Sequence, residues 1–258
     1  LKEINVFYKS LKTINLNALN KKKQDIKLIE ELKKRQNLID KSNLYEIDKI
    51  YWLIEDCKKF GTLPFAGLAR SGFIGIELLN SLKDSNIINE NEKINFLASL
   101  KTVTSEMKND LKKLNKKKFI IKYGHLRPGT YDINSDNYAK GFNKYFGGKT
   151  NSKKISPNKI DISSKLKRSV KKLGIYKNSD VLIKFIKESV ANREYSKFVF
   201  TKSIDLIFKN LALFGNKFNI SNDDWSYVKI QKILEMYFNL SSHSTISNLK
   251  RDIKENKK

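Results

Sequence analysis

Apolar residues recur every three or four positions along most of this chain, and this spacing constrains the fold more than any other feature. Ile47, Tyr51 and Ile54, for example, would share one face of a helix. Residues 90–115 repeat the pattern with charged residues between the apolar ones. We therefore predict a mainly α fold, a multi-helix domain with a long glycine-containing loop region around 124–160.

Several helix ends are marked by residues that suit them. Asn43 is a candidate N-cap for the first of these helices, because its side chain can accept a hydrogen bond from a free backbone N–H. Residues 163–175 read as a short helix ended by Gly174, which tolerates the left-handed conformation after a C-terminus. A further helix is predicted to begin near Ser179 and to run towards Gly215, with one break allowed.

The helical spacing is interrupted over residues 124–160, where five glycines and two prolines fall among several Asn and Ser residues. A stretch of this length without a regular element is usually functional or disordered. It divides the chain into an N-terminal helical block, residues 1–123, a loop region, residues 124–160, and a C-terminal helical block, residues 161–258. We expect these three parts to form one domain.

The stretch "FGTLPFAGLARSGFIG", residues 60–75, places three glycines inside a predicted helix. Gly67, Gly72 and Gly75 each cost up to about 1 kcal/mol relative to Ala, and a close approach of another helix or of a ligand would offset that cost. We favour tight helix packing. Arg70 lies on the same segment and can face an anion. The stretch is not a phosphate-binding P-loop, since it lacks the Gly-Lys-Ser/Thr ending.

The stretch "KYGHLRPGTYDI", residues 122–133, brings together three of the rarest residue types of the chain. Pro128 restricts Arg127 to an extended backbone, and Gly129 can take a positive φ, so a rigid turn is predicted. In one interpretation, His125 exchanges protons and Arg127 clamps an anion. In the other, the two side chains satisfy nearby carboxylates or helix-end carbonyls. The sequence leaves both interpretations open.

The stretch "ANREYSKFVFTKS", residues 191–203, lies on the helix predicted from Ser179. Arg193 and Lys197 are one turn apart on such a helix, and an ion-paired surface is one interpretation of this segment. The other interpretation places Arg193 and Glu194 beside a cleft.

The net charge of 52 − 27 = +25 is carried almost entirely by lysine, with 46 Lys against 6 Arg. Such a charge normally points to nucleic acid or an anionic membrane. Abundant Lys, Asn and Ile with little Ala is, however, typical of low-GC codon usage. Proteins that bind nucleic acid rely on Arg for bidentate and stacked contacts, so nucleic acid is not the partner that we expect.

The few Cys and His residues exclude several kinds of site. Cys57 is the only cysteine, which rules out an internal disulfide and a cysteine-based zinc site and suits a reducing compartment. His125 and His243 lie 118 positions apart and give no metal-ligand spacing, and we interpret His243 as a residue that starts a helix. No signal-peptide core and no apolar run of about 18 residues is present, so we predict a cytoplasmic protein without a membrane partner.

Together, "DCKKFGTLPFAGLARSGFIG", "KYGHLRPGTYDI" and "NREYSKFVFTKS" resemble the central region of phosphoenolpyruvate synthase/pyruvate phosphate dikinase-like proteins, a group that includes rifampicin-type phosphotransferases. The resemblance covers roughly residues 40–235. Members of this group combine an ATP-grasp domain, a swivelling phosphohistidine domain and a helical region between them. The resemblance implies phosphoryl transfer from ATP through histidine to an acceptor such as pyruvate.

The resemblance further implies that this chain is the central helical domain, and a fragment, of an ATP-dependent phosphotransferase. Its partners would be an ATP-grasp domain and a phosphohistidine domain, in the same parent chain or as separate subunits, and a small-molecule acceptor. ATP and Mg²⁺ would belong to the parent enzyme, with no cofactor or metal in this chain. Neither histidine matches the phosphorylated one, and no ATP-grasp glycine loop is present, so we expect no catalytic residue here and no activity of the chain alone.

The implied role is to contribute to an acceptor-substrate site. In the rifampicin-type relatives, the counterpart of the second motif usually reads Gly-His-Arg-Gly, whereas this chain inserts Leu126 before Arg127 and a proline after it. The predicted substrate-binding residues are His125, Arg127, Gly129, Arg70, Arg193 and Glu194. Two other functions fit the same sequence: a structural spacer without a ligand site, and a basic, nucleic-acid-binding helical protein.

Overall fold

The computed structural model describes residues 2–147, 164–239 and 243–257. Within these ranges the regular structure is helical and contains no strand, which confirms the mainly α fold class. A π-helical segment, Cys57–Thr62, joins the second and third α-helices without a break. The α-helices are α1 (Lys2–Lys41), α2 (Glu46–Asp56), α3 (Leu63–Asp84), α4 (Glu90–Ala98), α5 (Val103–Lys113), α6 (Lys116–Tyr123), α7 (Phe142–Phe146), α8 (Ser164–Leu173), α9 (Ser179–Phe218), α10 (Asn222–Ser226), α11 (Ile230–Asn239) and α12 (His243–Asn256).

Two helix boundaries differ from those predicted. The helix expected after Asn43 begins at Glu46, and its N-cap is Tyr45, which provides no side-chain hydrogen bond. The pattern over residues 90–115 forms two helices, α4 and α5. They separate because Thr102 and Ser105 bond each other's backbone N–H groups at 3.3 and 2.9 Å, which caps the start of α5.

The other predicted helices agree with the structure. α8 is followed by Gly174 at φ +61°, in the left-handed conformation expected of it, whereas residue 163, the predicted start of this helix, lies outside the described residues. α9 runs unbroken over 40 residues and passes Gly215 before ending at Phe218. α12 begins at His243, as predicted.

The chain divides into two compact units, each built from three separate segments. Unit 1 comprises Leu1–Ile29, Leu63–Lys113 and Thr150–Lys197, and unit 2 comprises Glu30–Thr62, Leu114–Lys149 and Phe198–Lys258. α1 and α9 each contribute one part to unit 1 and the other part to unit 2. These two helices are the longest in the described part of the chain.

Each unit has its own apolar core. The core of unit 1 joins α3, α4, α8 and α9 through buried aliphatic and aromatic side chains, among them Leu79, Phe96, Leu166, Phe185 and Ile186. The core of unit 2 joins α2 and the C-terminal part of α9 to the last three helices through Ile50, Phe214, Trp225, Ile233 and Leu249. Burying each such side chain contributes about 1.5–3 kcal/mol, so these helices are stable because they pack against one another.

The predicted loop region is described only up to residue 147. Residues 124–141 form a succession of turns in unit 2, and the five-residue helix α7 follows them. The remainder of the predicted region, residues 148–160, lies outside the described residues.

Candidate functional site

The second motif forms a turn that is closed by its own backbone. The turn leaves α6 at Tyr123, and its two ends are joined by hydrogen bonds from the Tyr138 N–H to the Leu126 carbonyl, at 2.7 Å, and from the Ala139 N–H to the Gly124 carbonyl, at 3.1 Å. We call residues 124–139 the motif loop. Its closed base positions the three predicted site residues that it carries, His125, Arg127 and Gly129.

Gly129 lies at the crowded centre of the motif loop. Its φ is not positive, so the expectation of a left-handed glycine at this position is wrong. A Cβ atom here would lie 3.0 Å from Ser135 Cβ and 3.1 Å from Asp132 Cβ, and the Gly129 N–H donates to Ser135 Oγ at 3.2 Å. Glycine is needed for space rather than for its backbone angles.

His125 anchors the motif loop to α9. Its Nε2 atom lies 3.0 Å from the carbonyl oxygen of Phe198, and the Phe198 ring packs edge-on against the imidazole. Because the oxygen can only accept, Nε2 carries the proton in this bond. Burial lowers the pKa of His125 to about 4, although the Phe198 carbonyl opposes that shift. The imidazole is therefore neutral at pH 7.

Arg127 makes a second, charged attachment to the same helix. Its guanidinium forms a close ion pair with Asp205, and only 8% of the Arg127 side chain and 16% of the Asp205 side chain are exposed. The same guanidinium donates to the Ser135 carbonyl at 3.2 Å and lies 4.9 Å from the centre of the Phe208 ring. Asn137 Nδ2 completes the arrangement with a 2.9 Å bond to Asp205.

A cavity of about 500 Å³ lies between the motif loop and α9 within unit 2. The Arg127–Asp205 pair forms part of its wall, and Ile133 and Phe208 supply apolar surface. Further polar side chains line the cavity, and they include one more carboxylate: Asn134, Ser135, Asp136, Asn137, Lys140, Lys209, Asn216 and Asn222. A space of this volume, with scattered donors on an apolar base, suits a small polar ligand.

Comparison of the chain with protein-family models, with curated proteins and with solved structures finds no match. The resemblance to the phosphotransferases therefore rests on the three motifs alone.

The first motif packs against α9 through its glycines, as the tight-packing interpretation predicts. In unit 1, a Cβ atom on Gly72 would lie 2.9 Å from Arg193 Cδ, and one on Gly75 would lie 3.5 Å from the Cα atom of Ile186. In unit 2, a Cβ atom on Gly61 would lie 3.1 Å from Phe200 Cβ. Gly61 and Gly72 thus allow a close approach to α9, whereas Gly75 makes ordinary contact with it and Gly67 faces Asp25 of α1.

The predicted site residues of unit 1 have separate surroundings. The Arg193 guanidinium lies 4.8 Å from the centre of the Phe73 ring. Glu194 Oε2 accepts a 3.1 Å hydrogen bond from the Thr104 N–H and so caps the start of α5. Arg70 is exposed and borders a smaller cavity beside α1.

The structure thus brings His125, Arg127 and Gly129 together in the motif loop of unit 2. Arg70, Arg193 and Glu194 belong to unit 1, and their part in a common site stays a prediction.

The residue most clearly missed from the sequence is Asp205. It lies two helical turns beyond Phe198, as the only acidic residue between Glu194 and Asp223, and it holds Arg127 in place. A single carboxylate in this helical stretch is the signal by which it could have been found. Asn137 gave no comparable signal, because Asn is common throughout the chain.

The described residues contain no group of three or more His, Cys, Asp or Glu side chains placed to hold a metal ion. Nor does any described helix combine the length and apolarity that crossing a membrane requires.

Proposed function

We propose that this chain is the central helical domain of a phosphoenolpyruvate-utilising phosphotransferase and that the cavity beside the motif loop belongs to its acceptor site. The phosphoryl group would pass from ATP to a histidine in a partner domain and then to the acceptor. This chain would bind and orient the acceptor, which is a major part of catalysis in phosphoryl transfer.

The observation that carries the proposal is the meeting of all three motifs at α9. The third motif is part of α9, the first contacts it through Gly61, Gly72 and Gly75, and the second bonds to it through His125 and Arg127. Segments far apart in the sequence thus share one helix, as expected of motifs that serve a common purpose.

The chemistry of the cavity supports a polar acceptor. Lys140 and Lys209 border the cavity. Among the described residues, Lys140 forms no ion pair, and the closest carboxylate to the Lys209 ammonium is that of Asp40, at 3.6 Å. Arg127 is already occupied by Asp205, so it shapes the wall and an incoming anion would meet the lysines. The Asn side chains of the lining can bond hydroxyl or carbonyl groups of the same ligand.

The proposal is tested by filling the cavity in the complete protein that contains this chain. Ala212 is half-buried and lines the cavity, so Ala212→Leu places three more carbon atoms in it. With ATP and pyruvate as the first substrates assayed, we expect the KM for the acceptor to rise at least about tenfold. Phosphorylation of the partner histidine by ATP should be unchanged.

The matched control is Ala98→Leu, at an exposed position at the end of α4 in unit 1. It should leave both half-reactions unchanged, and circular dichroism melts should show both variants folded. An unchanged acceptor KM in a folded Ala212→Leu protein contradicts an acceptor site in this cavity.

The second candidate function is that of a structural spacer. It is favoured because His125 and Arg127 already bond to residues of α9. In that case the Ala212→Leu protein keeps its full transfer activity. Arg127→Ala then loses activity only in proportion to the fraction unfolded, which parallel activity and urea-unfolding curves would show.

A further inference from the structure

A second cavity, of about 300 Å³, lies between α1 and α3 within unit 1. Asp25 and Lys21 of α1 and Gly67, Arg70 and Ser71 of α3 line it. Asn17, Ala18 and Ile14 continue the α1 wall. This cavity shares no residue with the one beside the motif loop.

Asp25 is a buried carboxylate without a direct partner. The residue is 6% exposed, and no hydrogen bond or ion pair reaches its side chain from the part of the chain that the structure describes. Its Oδ2 atom lies 2.4 Å from the point where a Cβ of Gly67 would be, so only glycine leaves room for it. A buried carboxylate in this state is unfavourable unless a donor or a cation reaches it.

Burial is also the main influence on the acidity of this group. It raises the pKa of the Asp25 carboxyl, and the charge of Lys21, one helical turn away, offsets part of the shift. A bound cation would favour the ionised carboxylate.

Two cationic side chains, Lys21 and Arg70, line the cavity one helical turn from the Asp25 end. Its α1 wall extends from Asp25 towards the N-terminus of that helix, and its α3 wall extends from Gly67 towards the C-terminus. Lys21 and Arg70 are therefore displaced from Asp25 in the same direction, by about one helical turn or ~5–6 Å. Neither forms an ion pair with a carboxylate among the described residues.

We infer that this cavity binds a small zwitterion, with its ammonium group at Asp25 and its carboxylate or phosphate group at Lys21 and Arg70. The volume suits a molecule of a few carbon atoms. The inference does not rest on the proposed function, because every lining residue belongs to unit 1 and binding can be measured with this chain alone.

The test is calorimetric titration of the 258-residue chain with two zwitterions, β-alanine and O-phosphoethanolamine, which carry a carboxylate and a phosphate respectively. Propionate and propylamine, each lacking one of the two charges, are the matched controls. We expect at least one zwitterion to bind at least about tenfold more tightly than both controls. Which of the two binds more tightly identifies the acidic group. Zwitterions that bind no better than the controls overturn the inference.

Three variants assign the binding to this cavity. Asp25→Asn should weaken binding at least about tenfold, since it removes the partner of the ammonium. Gly67→Ala should do the same, because its Cβ displaces the carboxylate. Arg70→Gln, at an exposed position, should fold normally and weaken binding by about two- to fivefold.

The matched controls are Arg168→Gln, an exposed arginine of α8 outside the cavity, and Gly75→Ala, where a Cβ finds ordinary contacts. Neither should change binding. Should Asp25→Asn fail to fold, Arg70→Gln still decides: binding equal to that of Arg168→Gln places the ligand elsewhere and overturns the inference.

Discussion

At the scale of single residues, the side chains of His125 and Arg127 are both largely buried, but in different charge states. His125 gives α9 a neutral donor, whereas Arg127 keeps its charge and is neutralised by Asp205. The sequence predicted that both side chains project from a rigid turn. In one of its two interpretations, they bond to nearby carboxylates or helix-end carbonyls. It was unable to identify the partners, which lie 73 and 78 positions further along the chain.

We predict that His125 makes stability depend on acid pH. Its pKa is about 4 in the folded chain against 6.5 for a free side chain, so between these values the unfolded chain binds more protons. The free energy of unfolding should therefore fall as the pH drops from about 6.5 to about 4, by roughly 1–3 kcal/mol more than in His125→Gln. Urea unfolding at several pH values measures this difference.

His243→Gln is the control for this prediction, because it removes the only other histidine. It should keep the pH dependence of the unmodified chain. Parallel curves for the unmodified chain and His125→Gln would show that His125 is not the neutral, buried group described above.

We predict that Arg127 and Asp205 are strongly coupled. Arg127→Ala should lower the free energy of unfolding by about 3–5 kcal/mol, since it leaves a carboxylate of low exposure without its cation. Adding Asp205→Asn should restore part of the loss. The exposed pair of Lys58 and Glu55 is the comparison, and Lys58→Ala should cost less than about 1 kcal/mol. Equal losses at the two pairs would contradict a structural role for Arg127.

At the scale of secondary structure, periodicity predicted which segments are helical, and side-chain bonding decided where they end. Local hydrogen bonding by Thr102 and Ser105 divides residues 90–115 into α4 and α5, although apolar and charged residues alternate throughout this range. Likewise, α9 passes Gly215 because the left-handed turn falls on Asn219, at φ 53°. The positions of these helix ends depend on a few hydrogen bonds, which the spacing of apolar residues does not reveal.

Replacing each of two helical glycines with alanine should change the stability of the chain in opposite directions. A Cβ on Gly75 would meet nothing closer than 3.5 Å, so Gly75→Ala should stabilise the chain by up to about 1 kcal/mol through helix propensity. A Cβ on Gly215 would lie 2.4 Å from the Ile220 carbonyl oxygen and 2.7 Å from Trp225 Nε1. Gly215→Ala should therefore destabilise it by about 1–3 kcal/mol.

Thermal melts of the two variants measure these changes. The Ile220 N–H donates to the Gly215 carbonyl at 2.9 Å, so the turn that ends α9 cannot yield without losing this bond. A stable Gly215→Ala protein would show that the close packing of this turn is not required.

At the scale of the whole molecule, the arginines and lysines have different uses. Three of the six arginines, Arg35, Arg127 and Arg193, lie over phenylalanine rings within their own units. Arg35 and Arg127 also pair with buried or half-buried carboxylates. The surface charge is consequently lysine-based, which agrees with a compositional origin and provides few bidentate contacts for nucleic acid.

The charge of +25 predicts that added salt stabilises the chain. Lysines repel one another in the folded state, and ions screen this repulsion over about 10 Å at 0.1 M salt. The melting temperature should rise by several degrees between 20 and 300 mM NaCl and should then level off. A variant with six exposed lysines replaced by glutamine should show a smaller rise, and an equal rise would indicate specific ion binding instead.

The buried cysteine of the π-helical segment has a practical consequence. Burial raises the pKa of the Cys57 thiol to about 11, and the thiol also bonds to Ser203 of α9. A thiol-specific reagent can therefore reach it only when this part of unit 2 opens, and the chain has no other thiol to compete. The rate of labelling, followed by mass spectrometry without any engineered tag, reports how often the contact between the π-helical segment and α9 opens.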